Sequence, residues 1–206
     1  MRIIETRRAP NPRRVGIFLA EKGLEVAREE RDVMAGDLKC DDFAALNPWQ
    51  RVPILVLDDG RVIAESVAIC RYFEERCPEP PLFGTGSVGK AEVEMWNRRM
   101  EFGLFGAVAS FFRHLHPKMA HLEVPQVEAW GQINKDKLNV ELARLDRRLA
   151  ESRFISGPNY SIADITALVA VDFMKPAGLG KPDAFGNVIR WHREVSARPS
   201  AAAGRR

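Results

Sequence analysis

The stretch NPWQRVPILVLDDGRVIAESVAICRYFEE, residues 47–75, decides how the first part of the chain folds. Its run VPILVL (52–57) is short and continuously apolar, the pattern of a strand covered on both faces. Asp59-Gly60 is a hairpin turn signal, and RVIA (61–64) reads as the returning strand. A helix follows from Ser66, with Ile69 and Tyr72-Phe73 as its apolar positions. Working back towards the start, LKCDDFAALNP (38–48) predicts a short helix closed by Asn47-Pro48, and LEVAREERDV (24–33) a densely charged strand. RIIE (2–5) is a further strand. Between them, RRAPNPRR (7–14) packs four arginines and two prolines into eight residues, just before Val15, Phe18 and Leu19 begin a helix that stops at Gly23. The order is β-α-β-α-β-β-α: a mixed sheet with helices against it.

Composition then changes. RCPEPPLFGTGSVG (76–89) holds three prolines and three glycines and reads as a connector. Beyond it the signal is helical. Leu138, Leu142, Leu145 and Leu149 form one apolar stripe. Residues 90–115 carry apolar side chains on more than one face, as expected of a helix covered by its own bundle and by a partner subunit. Gly103 and Gly106 would there permit close backbone approach. SAAAGRR at the end reads as a frayed tail. The expected fold class is α/β plus all-α, with an α/β domain over 1–76, a linker over 77–89 and a helical domain over 90–206. In YSIADITA (160–167), Ser161 and Asp164 have the spacing of a helix-capping box, worth roughly 1–2 kcal/mol.

The whole chain limits the classes of function. At 206 residues it is long enough for a sizeable core, and a net charge of +3 does not argue for nucleic acid. No apolar run reaches membrane-span length, and the first residues lack the apolar segment of a signal peptide. Cys40, Cys70 and Cys77 lack CxxC spacing, which suggests reduced thiols in a cytoplasmic protein. No metal-ligand motif is present; His114 and His116, two apart, point away from each other on a helix.

Together, the element order, residues 47–75 and SGPNYSIADITA (156–167) resemble the cytosolic glutathione S-transferases over nearly the whole chain. The resemblance implies a thioredoxin-like N-terminal domain that binds glutathione and a helical C-terminal domain. It implies a cis Val52-Pro53 bond, with the Val52 backbone pairing the cysteinyl part of glutathione like an added strand. The alternative is a strand-starting proline without a ligand. Ser66, at a helix start, would hold the γ-glutamyl carboxylate, with Glu65 orienting the ammonium group, while Arg51 suits the glycyl carboxylate. Ser66 as a cap of its own helix is compatible with this.

Glutathione reacts as a thiolate, and an ordinary thiol has a pKa of about 8.5. Lowering it by two units takes roughly 2.7 kcal/mol. Family members use Tyr, Ser or Cys for this, and alignment along the first helix places the usual Ser or Cys at Ala9, which has no donor. The catalytic candidates become Asn11, which matches the asparagine of related glutathione-dependent disulfide-bond oxidoreductases, and Thr6. Asn11 has a second reading, as a cap for a helix beginning at Pro12. Arg13 or Arg14 would add to either if it points inward.

The implied activity is attack of glutathione, a co-substrate rather than a tightly bound cofactor, on a small hydrophobic electrophile. Phe102, Phe105, Phe111 and Met119 are candidate walls for that electrophile, with core packing as their alternative reading. A disulfide reductase or peroxidase, or a non-catalytic binding protein of the same fold, are the rival functions. A homodimer is expected, with neither nucleic acid nor membrane as partner.

Overall fold

The computed structural model describes residues 1–204, which divide into two units, Met1–Leu82 with the C-terminal segment from Arg198, and Phe83–Ala197. The first unit holds strands β1 (Arg2–Glu5), β2 (Ala27–Glu30), β3 (Ile54–Val56) and β4 (Val62–Ala64), in the order β2-β1-β3-β4. β2 is parallel to β1, and β3 is antiparallel to β1 and to β4. Neighbouring residues of a strand face opposite sides. Ile3 with Ile4, and Ile54 with Leu55, are all fully buried, so both faces of the two inner strands are covered. On one face Ile4, Ile54 and Val56 cluster with Leu38 and Phe43, the latter on α2 (Asp41–Leu46). The other two helices, α1 (Pro10–Glu21) and α3 (Ser66–Arg76), pack on each other. This is the mixed sheet expected from the element order, in the thioredoxin-like arrangement that the family resemblance implied.

The charged second strand is shorter than its sequence suggests. Only four residues pair, at a sheet edge, and their charges bridge to β1: Arg2 Nε donates to Glu29 at 2.9 Å and Arg28 Nη1 to Glu5 at 2.5 Å. An exposed edge strand tolerates such charge, which also discourages pairing with other chains.

The C-terminal segment corrects the expectation of a frayed tail. Pro199–Ala202 forms a 3₁₀ turn against α1, with Ser200 and Ala201 buried. Arg198 grips Glu21 through Nε at 2.8 Å and Nη2 at 2.6 Å, and the Ser200 hydroxyl also donates to Glu21. Burial raises the Glu21 pKa, but these hydrogen bonds and the Arg198 charge outweigh it and hold the carboxyl below its ordinary value. The segment therefore belongs with the N-terminal unit rather than with the helical domain; Arg205 and Arg206 lie outside the described residues.

The second unit is helical: α4 (Gly86–Arg98), α5 (Gly106–Leu115), α6 (Glu128–Glu151), α7 (Ile162–Met174) and α8 (Gly186–Ser196). α4 starts inside the stretch read as a connector. A π-helical turn, Arg99–Phe105, joins it to α5 and explains the apolar residues on several faces. Its wider winding rotates the sequence, so that Met100, Leu104 and Phe105 are buried while Phe102 is exposed. At Gly103 a Cβ would stand 3.0 Å from Glu141 Oε2, a side-chain tip rather than the backbone expected there, and at Gly106 the nearest atom is the Glu101 carbonyl oxygen at 3.5 Å. The leucine stripe of α6 is buried throughout.

The capping box forms as expected and reaches further. Asp164 accepts from the Ser161 N–H at 3.0 Å and from the Ser161 hydroxyl at 3.1 Å. It also accepts from the Ile155 N–H at 3.0 Å and from Trp191 Nε1 on α8 at 2.9 Å. One carboxylate thus ties the start of α7, the preceding loop and α8 together. Complete burial outweighs these donors and raises its pKa to about 6. A carboxyl that titrates near 3.8 unfolded and near 6 folded binds its proton more tightly in the fold. Its contribution to stability is complete below 3.8 and is lost as pH rises through about 6. In urea unfolding, the stability of wild type relative to Asp164→Asn is expected to fall from about pH 4 to 6 and to level off above. A difference that rises over this window would show that the hydrogen bonds, not burial, dominate.

Candidate functional site

Three non-glycine residues have positive φ among the described residues: Arg8 (63°), Gln50 (50°) and Glu65 (66°). Each stands beside one of the segments expected to meet a ligand. Such conformations cost on the order of 1–3 kcal/mol and concentrate at functional sites.

Glu65 sets the geometry at α3. With φ 66° and ψ 119° it occupies the capping position but makes no side-chain cap, and the helix begins at Ser66. This corrects the reading of Ser66 as its own helix's cap. As first helical residue, Ser66 presents its N–H at the positive end of the helix, beside that of Val67. Its hydroxyl accepts from Arg14 Nη1 at 2.9 Å. Ser66 is buried, whereas Glu65 is exposed.

The Val52-Pro53 bond is cis, as are Glu79-Pro80 and Val124-Pro125, which the sequence reading did not anticipate. Ladder pairing in β3 begins at Ile54, so the Val52 peptide groups lie ahead of the sheet's own pairs. The preceding loop is organised by buried Asn47. Its Nδ2 donates to the Arg51 carbonyl at 2.9 Å, its Oδ1 accepts from the Trp49 N–H at 3.3 Å, and its own carbonyl accepts from the Gln50 N–H at 2.9 Å. Reading Asn47 only as a helix stop missed this role. Arg51 projects from the loop and is exposed.

At α1 the helix starts two residues earlier than expected. Its capping position is Ala9, without a side-chain cap, and Pro10 is the first helical residue. Asn11 is the second, half-buried and not a cap, which removes the cap-only reading. Prolines flank it at 10 and 12, so Asn11 carries the only backbone N–H of the first three helical positions. Thr6 gives its hydroxyl proton to the Arg31 carbonyl at 2.6 Å. That proton is already committed. The two arginines part company: Arg13 Nη2 donates to the Ala201 carbonyl at 3.3 Å, and Arg14 turns to Ser66. A visible signal was that Arg14 stands four residues before buried Phe18, on the same helical face.

The apolar candidates of the helical unit do not share one environment. Phe105 is buried, Phe111 and Met119 are half-buried, and Phe102 is 72% exposed with Arg98 over its ring. His114 and His116 act at the end of α5, their Nδ1 atoms accepting from the Val127 and Lys118 N–H groups. Among the described residues no group of three metal-ligating side chains gathers, and no helix is long and apolar enough to cross a membrane.

Residues 9–76 match the family model of the glutathione S-transferase N-terminal domain, and residues 96–199 that of the C-terminal domain. Glutathione S-transferase 2 of Saccharomyces cerevisiae is 32% identical over 97% of this chain and 87% of its own. A glutathione S-transferase domain-containing protein of Marinobacter aquaeolei, 38% identical, superposes with a TM-score of 0.93 over 97% of this chain and 99% of its own. The Gtt2-class enzyme of Vibrio parahaemolyticus, 36% identical, gives 0.87 over 99% and 97%. The chain belongs to the glutathione S-transferase family.

If the Glu65 backbone is strained, the usual order of alanine and glycine reverses there. Outside helices and turns alanine is ordinarily the more stable by about 0.4–1 kcal/mol. Glu65→Gly is expected to exceed Glu65→Ala by about 1 kcal/mol or more in urea unfolding, because only glycine relieves the positive φ. An alanine variant as stable as the glycine variant would show that no strain is stored.

Proposed function

We propose that this protein binds glutathione on its N-terminal unit and stabilises the thiolate for attack on an electrophile. The observation that carries the reading is the start of α3, where a strained Glu65 leaves buried Ser66 at the first helical position over a buried arginine. Ser66 and the first N–H groups of α3 receive the γ-glutamyl carboxylate, and Glu65 faces the ammonium group. The Val52 N–H and C=O pair with the cysteinyl residue, and exposed Arg51 takes the glycyl carboxylate.

Asn11 is the thiolate donor in this reading. Its side-chain amide and its backbone N–H both lie at the positive end of α1. A hydrogen bond to a charged acceptor contributes about 1.5–3 kcal/mol, and the helix terminus about 0.3–1 kcal/mol. Together these reach the roughly 2.7 kcal/mol that a two-unit drop in thiol pKa requires. Thr6 ranks behind it because its hydroxyl proton is held by Arg31. The thiolate then forms a carbon–sulfur bond, and the displaced electron pair leaves with the leaving group or takes up a proton. Within the helical unit, half-buried Phe111 and Met119 are the apolar candidates for holding an electrophile. Phe102, by its exposure, suits a different surface.

That surface is a homodimer contact. Val88, Met95 and Phe102 recur every seven residues from α4 into the π turn and are all exposed apolar side chains. We assign this enzyme to the cytoplasm, the compartment suggested by three cysteines without CxxC spacing. One observation favours a second reading: Ala9 provides no side-chain donor, which suits a glutathione-binding protein without transferase chemistry.

Calorimetry with glutathione, followed by conjugation and glutathione–disulfide exchange assays, separates the readings. Binding with conjugation is expected; binding without turnover would favour the second reading, and no binding at millimolar concentrations would overturn both. Asn11→Ala is expected to raise the pKa of the bound thiol by about 1 unit or more in an ultraviolet thiolate titration. An unchanged titration would remove Asn11 from the chemistry. Sedimentation is expected to show a dimer that Met95→Glu with Phe102→Glu dissociates; a monomeric wild type would contradict the assigned surface.

A further inference from the structure

Arg14 is 1% exposed, on the face of α1 that also carries Phe18. Its Nη1 donates to Ser66 Oγ at 2.9 Å, and the direction of that bond matters. A guanidinium has donors only, whereas a serine hydroxyl has one proton and two lone pairs. Arg14 therefore occupies a lone pair and leaves the proton to be given elsewhere. Among the described residues no protein acceptor takes it, although Ser66 is only 5% exposed. The Ser66 and Val67 N–H groups, at the uncapped start of the same helix, want an acceptor too.

We propose that Arg14 is the positioning residue of a carboxylate subsite, holding the Ser66 hydroxyl as an outgoing donor and placing a buried positive charge behind it. The inference rests on the reading of this site as the one for the γ-glutamyl end of glutathione. A hydroxyl that accepts from a cation is a stronger donor in its turn. With the charge behind it, the subsite selects an anionic oxygen over a neutral amide at the same position. Lysine is a poor substitute, since its point charge lacks the planar fork that fixes direction.

The test is calorimetry with two probes: glutathione, and its analogue with the γ-glutamyl α-carboxylate converted to an amide. The proteins are wild type, Arg14→Gln, Arg14→Lys, Ser66→Ala and the Arg14→Gln/Ser66→Ala double variant, each checked by circular dichroism. Arg14→Gln is expected to weaken glutathione on the order of 10- to 100-fold, and the amide by less than about threefold. The double variant is expected to lose far less than the product of the single losses, because the two residues act as a unit. Arg14→Lys is expected to bind glutathione more weakly than wild type while keeping part of the preference for the carboxylate. If Arg14→Gln does not fold, Arg14→Lys decides: affinity and preference equal to wild type would overturn the positioning role. Equal weakening of both probes, or fully multiplicative losses in the double variant, would overturn it as well. A wild type that binds neither probe overturns the glutathione reading and this inference together. A wild type that binds glutathione while the Arg14 variants are unchanged overturns this inference alone.

Discussion

A guanidinium buried inside a small α/β unit is a demanding placement, because a charge taken out of water costs several kcal/mol unless well-placed partners replace the solvent. Arg14 meets that demand partly through Ser66, and the contact links two helices. It requires α1 to turn its Arg14–Phe18 face inward and α3 to begin at Ser66 rather than one residue earlier. The Glu65 backbone at φ 66° sets that beginning. The packing of α1 on α3, covering one side of the sheet, holds the three features in place. The C-terminal segment adds a second grip on α1, through Glu21 and through the Arg13 contact with the Ala201 carbonyl.

Ala9 takes its meaning from this frame. Ala9 has neither hydroxyl nor thiol, and in the function we propose the group that the start of α1 offers a ligand is Asn11. Prolines on either side strip the neighbouring backbone donors, so among the first three helical positions Asn11 alone keeps a backbone N–H. The helical unit treats its own buried charge differently. Asp164 is enclosed by donors from Ser161, Ile155 and Trp191, with nothing left for a ligand. One buried charge closes a structure, and the other keeps a hydroxyl proton in reserve.

The parts of the fold that depend on local chemistry were legible in the sequence. Asp59-Gly60, the apolar run before it and the Ser161–Asp164 spacing each prescribe a short segment, and each formed. The misread parts depend on what lies across space. The edge strand kept four residues because β1, the strand it pairs with, is itself four residues long. The π turn came unannounced because a widened turn shifts periodicity without any marker residue. SAAAG looked like a tail because its anchor is Glu21, far away in sequence. At the candidate site, the Glu65-Ser66 and Val52-Pro53 pairs could be named from the family resemblance, but not that Arg13 and Arg14 would both be buried, one against the Ala201 carbonyl and the other against Ser66. That depends on helical phase, and the helix began at Pro10, two residues before the start assumed.

The most direct test is a crystal structure of the protein with glutathione bound. The sulfur is expected within hydrogen-bond distance, about 3.5 Å or less, of the Asn11 amide, with the γ-glutamyl carboxylate on the Ser66 hydroxyl and the Arg14–Ser66 contact intact. Glutathione bound with its sulfur away from Asn11, or with its γ-glutamyl end away from Ser66, would contradict the assignment of the site.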